Sequence, residues 1–371
     1  MQLQFLQLSN FKNWSNQAID LTGQLVCLSG NNGMGKTNFL DSIHYLCTGQ
    51  SYFQALDSLN VNHEADFFRI EGRFERAGTK ETLTCSYQKG GKKQLKRNDV
   101  LYKKLAAHVG LFPVVCIAPD DMLIINGYSP ERRKFLDFML SNGNRNYLQQ
   151  LIAYNRILKN RNAYLKQIFL YHTKPDEALL DSYDEQLVQR GSLIYEQRLG
   201  AEKELNVLVA EAHEQITESG ESVTIRLDSQ LLDNSFQALL KASRKEDIRQ
   251  GRSTSGIHKD DFLMMLDGYE VRKFGSQGQK KSMLIALKLA QLKYLEKNTG
   301  QAPILLLDDL FDKLDRQRGE GLLRQVCSNT LNQVFITDTQ SKRIPEIVQS
   351  IGLPLQILQI ENAKIIANDV I

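Results

Sequence analysis

The sequence predicts an α/β nucleotide-binding head interrupted by a mostly helical lobe, and three observations predict it. A glycine-rich loop joins an apolar strand to an amphipathic helix near the start, and an apolar run ending in paired carboxylates follows about 270 residues later. Between them lie two stretches of opposite charge with helical apolar spacing.

The loop Gly30-Asn31-Asn32-Gly33-Met34-Gly35-Lys36-Thr37 fits G-x-x-x-x-G-K-[ST]. It follows the strand Leu25-Val26-Cys27-Leu28 and opens a helix that sets Phe39, Leu40, Ile43, Leu46 and Cys47 on one face. Glycines let backbone N–H groups turn onto a phosphate, and the helix N-terminus adds partial positive charge. The expected nucleotide contacts run from Gly30 through Asn38, with Lys36 on the β and γ oxygens and Thr37 on Mg²⁺.

The apolar run Ile304-Leu305-Leu306-Leu307 ends in Asp308-Asp309 and reads as a parallel strand covered on both faces. Asp308 is placed to hold Mg²⁺ with Thr37, and Asp309 to orient the attacking water. Lys36, Asp308 and Asp309 are therefore the expected catalytic set.

Ser276-Gln277-Gly278-Gln279 opens a helix with Met283, Ala286, Leu287, Ala290 and Tyr294 on one stripe. The segment is similar to the signature motif of ABC-type ATPases, in which serine, glycine and helix N-terminus meet the γ-phosphate held by a second subunit. ATP and Mg²⁺ are then the expected cofactors and an ATP-dependent homodimer the expected assembly. Leu314-Asp315 matches the D-loop of such an interface. The predicted fold is an α/β P-loop ABC-type ATPase head with an inserted helical lobe forming a short antiparallel arm.

Residues 131–170 hold eight cations against Glu131 and Asp137, a net +6, whereas residues 176–221 hold twelve carboxylates against three cations, a net −9. Apolar spacing at Leu148, Leu151, Ile152 and Leu158, and at Leu180, Tyr183, Leu187 and Ile194, makes both helical. The segment 171–176 reads as the turn between them. The arm divides the chain into 1–125, an ATPase part; 126–221, the arm; and 222–371, the returning ATPase part with signature, Walker B strand and D-loop.

Two readings of this charge are open. Either the helices pair along their seam, or the basic one meets nucleic acid through Arg132, Arg133, Lys134, Arg156, Lys159 and Arg161. A lysine-rich hairpin tip with Lys92 and Lys93 is either an edge-protecting turn or a second backbone contact. Neither cluster carries a base-reading pattern, so binding by charge and shape is expected.

Composition agrees with a cytosolic chain. Five cysteines, an odd number without C-x-x-C spacing, read as reduced core residues. No export segment or apolar run of membrane length is present in the sequence, so a cytoplasmic location without membrane association is expected.

The opening Leu6-Gln7-Leu8-Ser9-Asn10-Phe11-Lys12-Asn13-Trp14 resembles L-x-L-x-N-F-R-N-Y of the RecF family of bacterial recombination mediators, relatives of chromosome-maintenance ATPase heads. Pro119-Asp120-Asp121, the run Gly127-Tyr128-Ser129-Pro130-Glu131-Arg132-Arg133-Lys134-Phe135-Leu136-Asp137, and Gly256-Ile257-His258-Lys259-Asp260-Asp261 are similar to further segments of that family. Lysine replaces arginine at Lys12 and Lys259, which keeps charge but loses a bidentate fork. Asp338 stands where many ABC ATPases carry a switch histidine, which fits slow turnover.

The resemblance implies Lys12 among the nucleotide contacts. It implies binding of duplex DNA at or near single-strand gaps, and slow ATP hydrolysis as a switch. It also implies support of recombinational repair and replication recovery by loading RecA with RecO and RecR. The alternatives are the ATPase subunit of a membrane transporter and a non-catalytic ATP-dependent clamp.

Overall fold

The computed structural model describes residues 1–76, 78–217, 220–310, 321, 323, 333–340 and 343–371. The chain forms two compact units: Met1–Asp121, Gln215–Glu218 and Lys288–Ile371 in the first, Met122–Glu214 and Ser219–Leu287 in the second.

The first unit begins with β1 (Gln2–Phe11), β2 (Trp14–Asp20), β3 (Leu25–Ser29), α1 (Lys36–Thr48), β4 (Phe67–Arg76), β5 (Thr79–Gln88), β6 (Gln94–Arg97), β7 (Val100–Leu101) and β8 (Val114–Ile117). The second carries α2 (Met122–Asn126), α3 (Ser129–Gly143), α4 (Arg145–Tyr171), α5 (Glu177–Thr217), β9 (Val223–Asp228), α6 (Phe236–Gln250), β10 (Asp261–Leu266), β11 (Tyr269–Glu270) and α7 (Val271–Phe274). After α8 (Gln277–Thr299) the first unit is completed by β12 (Ile304–Leu307), β13 (Val334–Asp338), α9 (Arg343–Ile351), β14 (Leu355–Glu361) and β15 (Lys364–Val370).

Two six-stranded sheets make the first unit, one antiparallel in the order β2-β1-β4-β5-β6-β7, the other β15-β14-β3-β13-β12-β8. In the second sheet β14, β3, β13, β12 and β8 run parallel. β3, β13, β12 and β8 are buried throughout, as continuous apolar runs require. The helix α1 touches β1, β4 and β5 of one sheet and β8 and β13 of the other. It is therefore buried beyond the expected stripe, with Asp41, Ser42, His44 and Tyr45 covered as well. Packing against β4 is tight at Gly72, where a Cβ would lie 2.8 Å from Leu46 Cδ1. Cys27, Cys47, Cys85 and Cys116 are buried free thiols in this unit.

In the second unit α4 and α5 have 27 and 41 residues, about 40 and 60 Å at 1.5 Å per residue. They flank the expected turn, with His172 at φ 50 ending α4. Leu180, Leu187 and Ile194 are buried as read, but α4 buries Tyr147, Tyr154, Ile157, Leu165 and Ile168, and Ile152 is exposed.

Residues 222–287 do not return to the ATPase part as expected; they belong to the second unit. The reason is local packing. Val223, Ile225 and Leu227 alternate inward on β9, Asn206 of α5 exchanges hydrogen bonds of 2.9 and 2.6 Å with Ile225, and α6 packs on α4.

Candidate functional site

The parallel strands end in register, β3 beside β13 and β13 beside β12, so the loops after Ser29, Leu307 and Asp338 share one end of the sheet. Ligands bind at such carboxyl ends. Gly30 N donates to Asp338 O at 3.3 Å, and a Cβ on Gly30 would lie 2.3 Å from Ile360 O. Gly33 has φ 79 with nothing within 4 Å of a Cβ position, so the loop presents open backbone there. Lys36 Nζ donates to Gly30 O at 2.7 Å and Asn31 O at 3.0 Å, folding the cation back over its own loop.

The opening segment supports this loop from beneath. Trp14 Nε1 donates to Gly35 O at 3.1 Å, and Asn38 Nδ2 to Asn13 Oδ1 at 2.8 Å. Gly35, at φ 108, approaches so closely that a Cβ would stand 2.8 Å from Asn13 Nδ2. Lys12 Nζ pairs with Asp41 of α1 at 2.6 Å and lies over the Phe53 ring. The buried Asp41 thus answers the charge, and the pair lends no support to the nucleotide contact expected of Lys12.

Thr37 and Asp308 meet. The Thr37 hydroxyl lies 2.9 and 3.0 Å from the two Asp308 carboxylate oxygens, joining segments 271 residues apart. Burial, reinforced by neighbouring Asp309, pushes the Asp308 carboxyl up to about 6 despite the bond from Thr37. Asp309 adopts φ 45 and its backbone N donates to Thr337 Oγ1 at 2.8 Å. Thr337, which the sequence reading missed, thereby links both carboxylates, with its hydroxyl 3.1 Å from Asp308 and 3.3 Å from Asp309. Asp338 is buried and held by Arg343, whose Nε lies 3.0 Å from Oδ2.

In the second unit, Ser276 and Gln279 form a reciprocal cap: Gln279 N donates to Ser276 Oγ at 3.2 Å and Ser276 N to Gln279 Oε1 at 2.8 Å. Ser276 and Gln277 are exposed at the start of α8, and Gly278 is half-buried. The expected single stripe on α8 is instead a burial on all sides, since Leu284, Ile285, Leu289 and Leu292 are covered along with Met283, Ala286, Leu287, Ala290 and Tyr294. Leu314 and Asp315 lie outside the described residues.

The basic candidates separate by burial. Arg161 is fully buried, with Nε on Asp184 and Nη1 on Asp247 at 2.7 Å each. Arg132 is buried against Asp261. Both are structural cations and leave the expected DNA set. Lys93 is paired with Asp57 at 3.0 Å and Arg97 with Glu81 at 2.6 Å, which favours the edge-protecting reading of the hairpin tip. Arg133 is half-buried; Lys92, Lys134, Arg156 and Lys159 are exposed. Seam pairing holds for part of the arm, and α6 contributes to it: Arg244 reaches Glu177, Asp181 and Asp184.

A second buried cation, Arg198, was not foreseen. It donates to Asp260 at 2.7 Å, Asp137 at 2.8 Å and Ile257 O at 2.7 Å, while Ser229 bonds Asp260 at 2.6 Å. The runs 127–137 and 256–261 thus meet in one charge network. A signal was present: Arg161 and Arg198 fall on the apolar stripes of their helices, between Ile157 and Leu165 and between Ile194 and Leu205.

Residues 2–359 match the RecF/RecN/SMC N terminal domain family. The DNA replication and repair protein RecF of Flavobacterium johnsoniae is 43% identical over 350 residues, covering 94% of this chain and 97% of that protein. The chain belongs to the RecF family. The RecF of Parabacteroides distasonis is 39% identical over 98% of this chain and 99% of its own length. A solved structure of the recombination mediator RecF-ATP of the RecFOR pathway is similar at TM-score 0.87 and 27% identity, covering 100% and 97% of the two chains. An SMC head bound to the C-terminal winged-helix domain of ScpA, at TM-score 0.56 and 13% identity, shares the fold. The RecF fold, an ATPase head of the SMC type, is therefore the architecture that positions Lys36, Thr37 and Asp308. Among the described residues no helix is long and apolar enough to cross a membrane.

Proposed function

We propose that this chain is an ATP-switched DNA-binding protein: it dimerises when ATP is bound, engages duplex DNA near single-strand gaps, and releases on slow hydrolysis. The observation that carries it is the meeting of Thr37 with Asp308 at 2.9 Å beside an open glycine loop and Lys36. A hydroxyl and a carboxylate at that spacing are hard oxygen donors suited to Mg²⁺. Bound there, Mg²⁺ would neutralise charge on the β and γ oxygens.

The chain's own groups supply the rest. Loop N–H groups would bind phosphate, and Lys36 would exchange the carbonyls of Gly30 and Asn31 for the γ oxygens. Asp309, fixed through Thr337, would orient water. Ser276, Gln277, Gly278 and Gln279 would face the nucleotide of the second protomer, where the helix N-terminus favours an anion. Asp338, tied to Arg343, offers no histidine-like proton carrier, which supports slow turnover. By family, the partners would be RecO and RecR in loading RecA, in the cytoplasm.

The test is binding of labelled duplex and gapped DNA with and without Mg-ATP at two salt concentrations, with Lys36→Met as control. ATP-dependent, salt-sensitive binding that Lys36→Met abolishes is the expected result. Binding indifferent to ATP would overturn the switch.

A further inference from the structure

The loop between α6 and β10 runs along α4. Ser253 N donates to Asn162 Oδ1 at 2.7 Å, and Tyr154 Oη lies 3.0 Å from His258 Nδ1. A Cβ on Gly251 would stand 3.1 Å from Phe169 Cβ and 3.5 Å from Lys166 Cα. The loop is thus pinned to the helix over several turns, and it carries Arg252 and Lys259, both exposed. From α3, Arg133 joins them, its Nη1 donating to Asp260 O.

Carboxylates next to these cations are already engaged. Asp260 holds Arg198 and Ser229, Asp261 holds Arg132, and Asp247 holds Arg161 and Thr254. Among the described residues neither Arg252 nor Lys259 makes an ion pair. Burial, then Arg252 and Arg133, lower the Lys259 ammonium from its usual range, and Asp247, already held by Arg161, opposes them only in part. Such a cluster lacks one thing, an anion. Two guanidinium forks with one ammonium suit phosphate oxygens, which accept in several directions at once.

We propose that Arg133, Arg252 and Lys259 form a phosphate-binding site at the root of the arm that takes backbone phosphates of duplex DNA. The site rests on the DNA-binding reading above and adds two residues, Arg252 and Lys259, that lie outside the basic helix. Exposed Lys159 and Lys166 on α4 extend the same surface.

The experiment uses the full chain with Arg252→Gln, Lys259→Gln and the double variant, with Lys364→Gln on β15 of the first unit as a charge-matched control. Duplex affinity is measured across a salt series, and binding of inorganic phosphate is measured separately by calorimetry. Each lost phosphate contact lowers the log–log salt slope by about 0.9, so the double variant should lose about 1.8 units and roughly fifty-fold affinity at 0.1 M salt. ATP affinity and thermal stability should stay as in the unaltered chain. A slope unchanged in the double variant, with the unaltered chain still binding duplex, would overturn the site alone. Loss of inorganic phosphate binding with duplex affinity intact would overturn its assignment to nucleic acid. No duplex affinity in the unaltered chain would overturn both the DNA reading and the site.

Discussion

Arg132 grips Asp261 with both arms of its guanidinium, Nε on Oδ1 and Nη2 on Oδ2, each at 2.7 Å. A third donor, Nη1, closes on Gly127 O at 3.0 Å. The pair fastens α3 to β10 across 129 residues of sequence, inside the second unit. Arg132 is buried and Asp261 nearly so, which makes removal of one partner costly, because a buried charge is left unanswered.

Arg132→Met is therefore expected to destabilise the chain by about 3–5 kcal/mol. Arg132→Lys should recover only part, since an ammonium cannot span both carboxylate oxygens. Urea unfolding of Arg132→Met, Asp261→Asn and the double variant checks this. The double variant should cost less than the two single losses added. Additive losses would mean that the two residues act separately.

Thr37→Val keeps the shape of the side chain and removes the hydroxyl that faces Asp308. ATP affinity in EDTA should stay within about two-fold, while the gain on adding Mg²⁺ should fall at least about ten-fold, because hydroxyl and carboxylate act together on the ion. Titration of a fluorescent ATP analogue with and without Mg²⁺ reads both. Equal loss in the two conditions would place Thr37 in loop packing only.

The glycines of the loop separate folding from binding. Gly35→Ala places a methyl 2.8 Å from Asn13 at φ 108 and should destabilise the first unit by about 1–3 kcal/mol. Gly33→Ala meets nothing within 4 Å, so its cost should be about 1 kcal/mol of backbone strain, yet its methyl would enter the open space that the proposed function gives to phosphate. Gly33→Ala should thus weaken ATP binding far more than stability, and Gly35→Ala should do the reverse. Thermal melts paired with ATP titrations distinguish them.

His108 is a buried neutral imidazole stacked on Phe112, with Nε2–H donating to Leu46 O at 2.8 Å. Its Nδ1 has no partner among the described residues. Burial lowers the imidazolium to about 4 from 6.5. The unfolded chain therefore binds more protons between those values, so stability is full above about pH 6.5 and falls as pH drops toward 4. About 2 kcal/mol should be lost to this group between pH 7 and pH 5. His108→Phe should flatten that acid limb in urea titrations; an unchanged limb would assign it to other groups.

The site was legible where chemistry is local. Gly30 to Thr37 and Asp308-Asp309 are short runs read from residue type and spacing alone, and the structure brings Thr37 onto Asp308. Arg161 and Arg198 were misread or missed because a buried cation and a DNA-facing one look alike in composition. Only their place on the apolar stripe of α4 and α5 tells them apart. The boundary at 222 failed for a related reason: β9 pairs with β10, which in turn pairs with β11, and β9 packs on α5, and no local signal records such a return. Lys12 shows the third kind of limit. Its charge was plain, but its partner Asp41 sits 29 residues away on α1, among residues outside the apolar face read for that helix.

Asp309 offers the sharpest test of catalysis because its backbone chooses the substitution. At φ 45 it occupies the left-handed region, which asparagine tolerates well and most residues do not. Asp309→Asn therefore removes the carboxylate charge while keeping the turn and the bond from its N–H to Thr337. If the carboxylate orients water, turnover should fall by about 10²–10⁴-fold, while ATP affinity and the ATP-dependent dimer persist or strengthen. Asp309→Ala would add backbone strain to the same chemical loss and should destabilise the loop as well. Single-turnover hydrolysis, with light scattering for assembly, follows both quantities at once. Hydrolysis at the original rate in Asp309→Asn would remove this residue from the catalytic set. Loss of the dimer along with turnover would instead place Asp309 in assembly, where its position beside Thr337 would act on the fold of the site and not on the water.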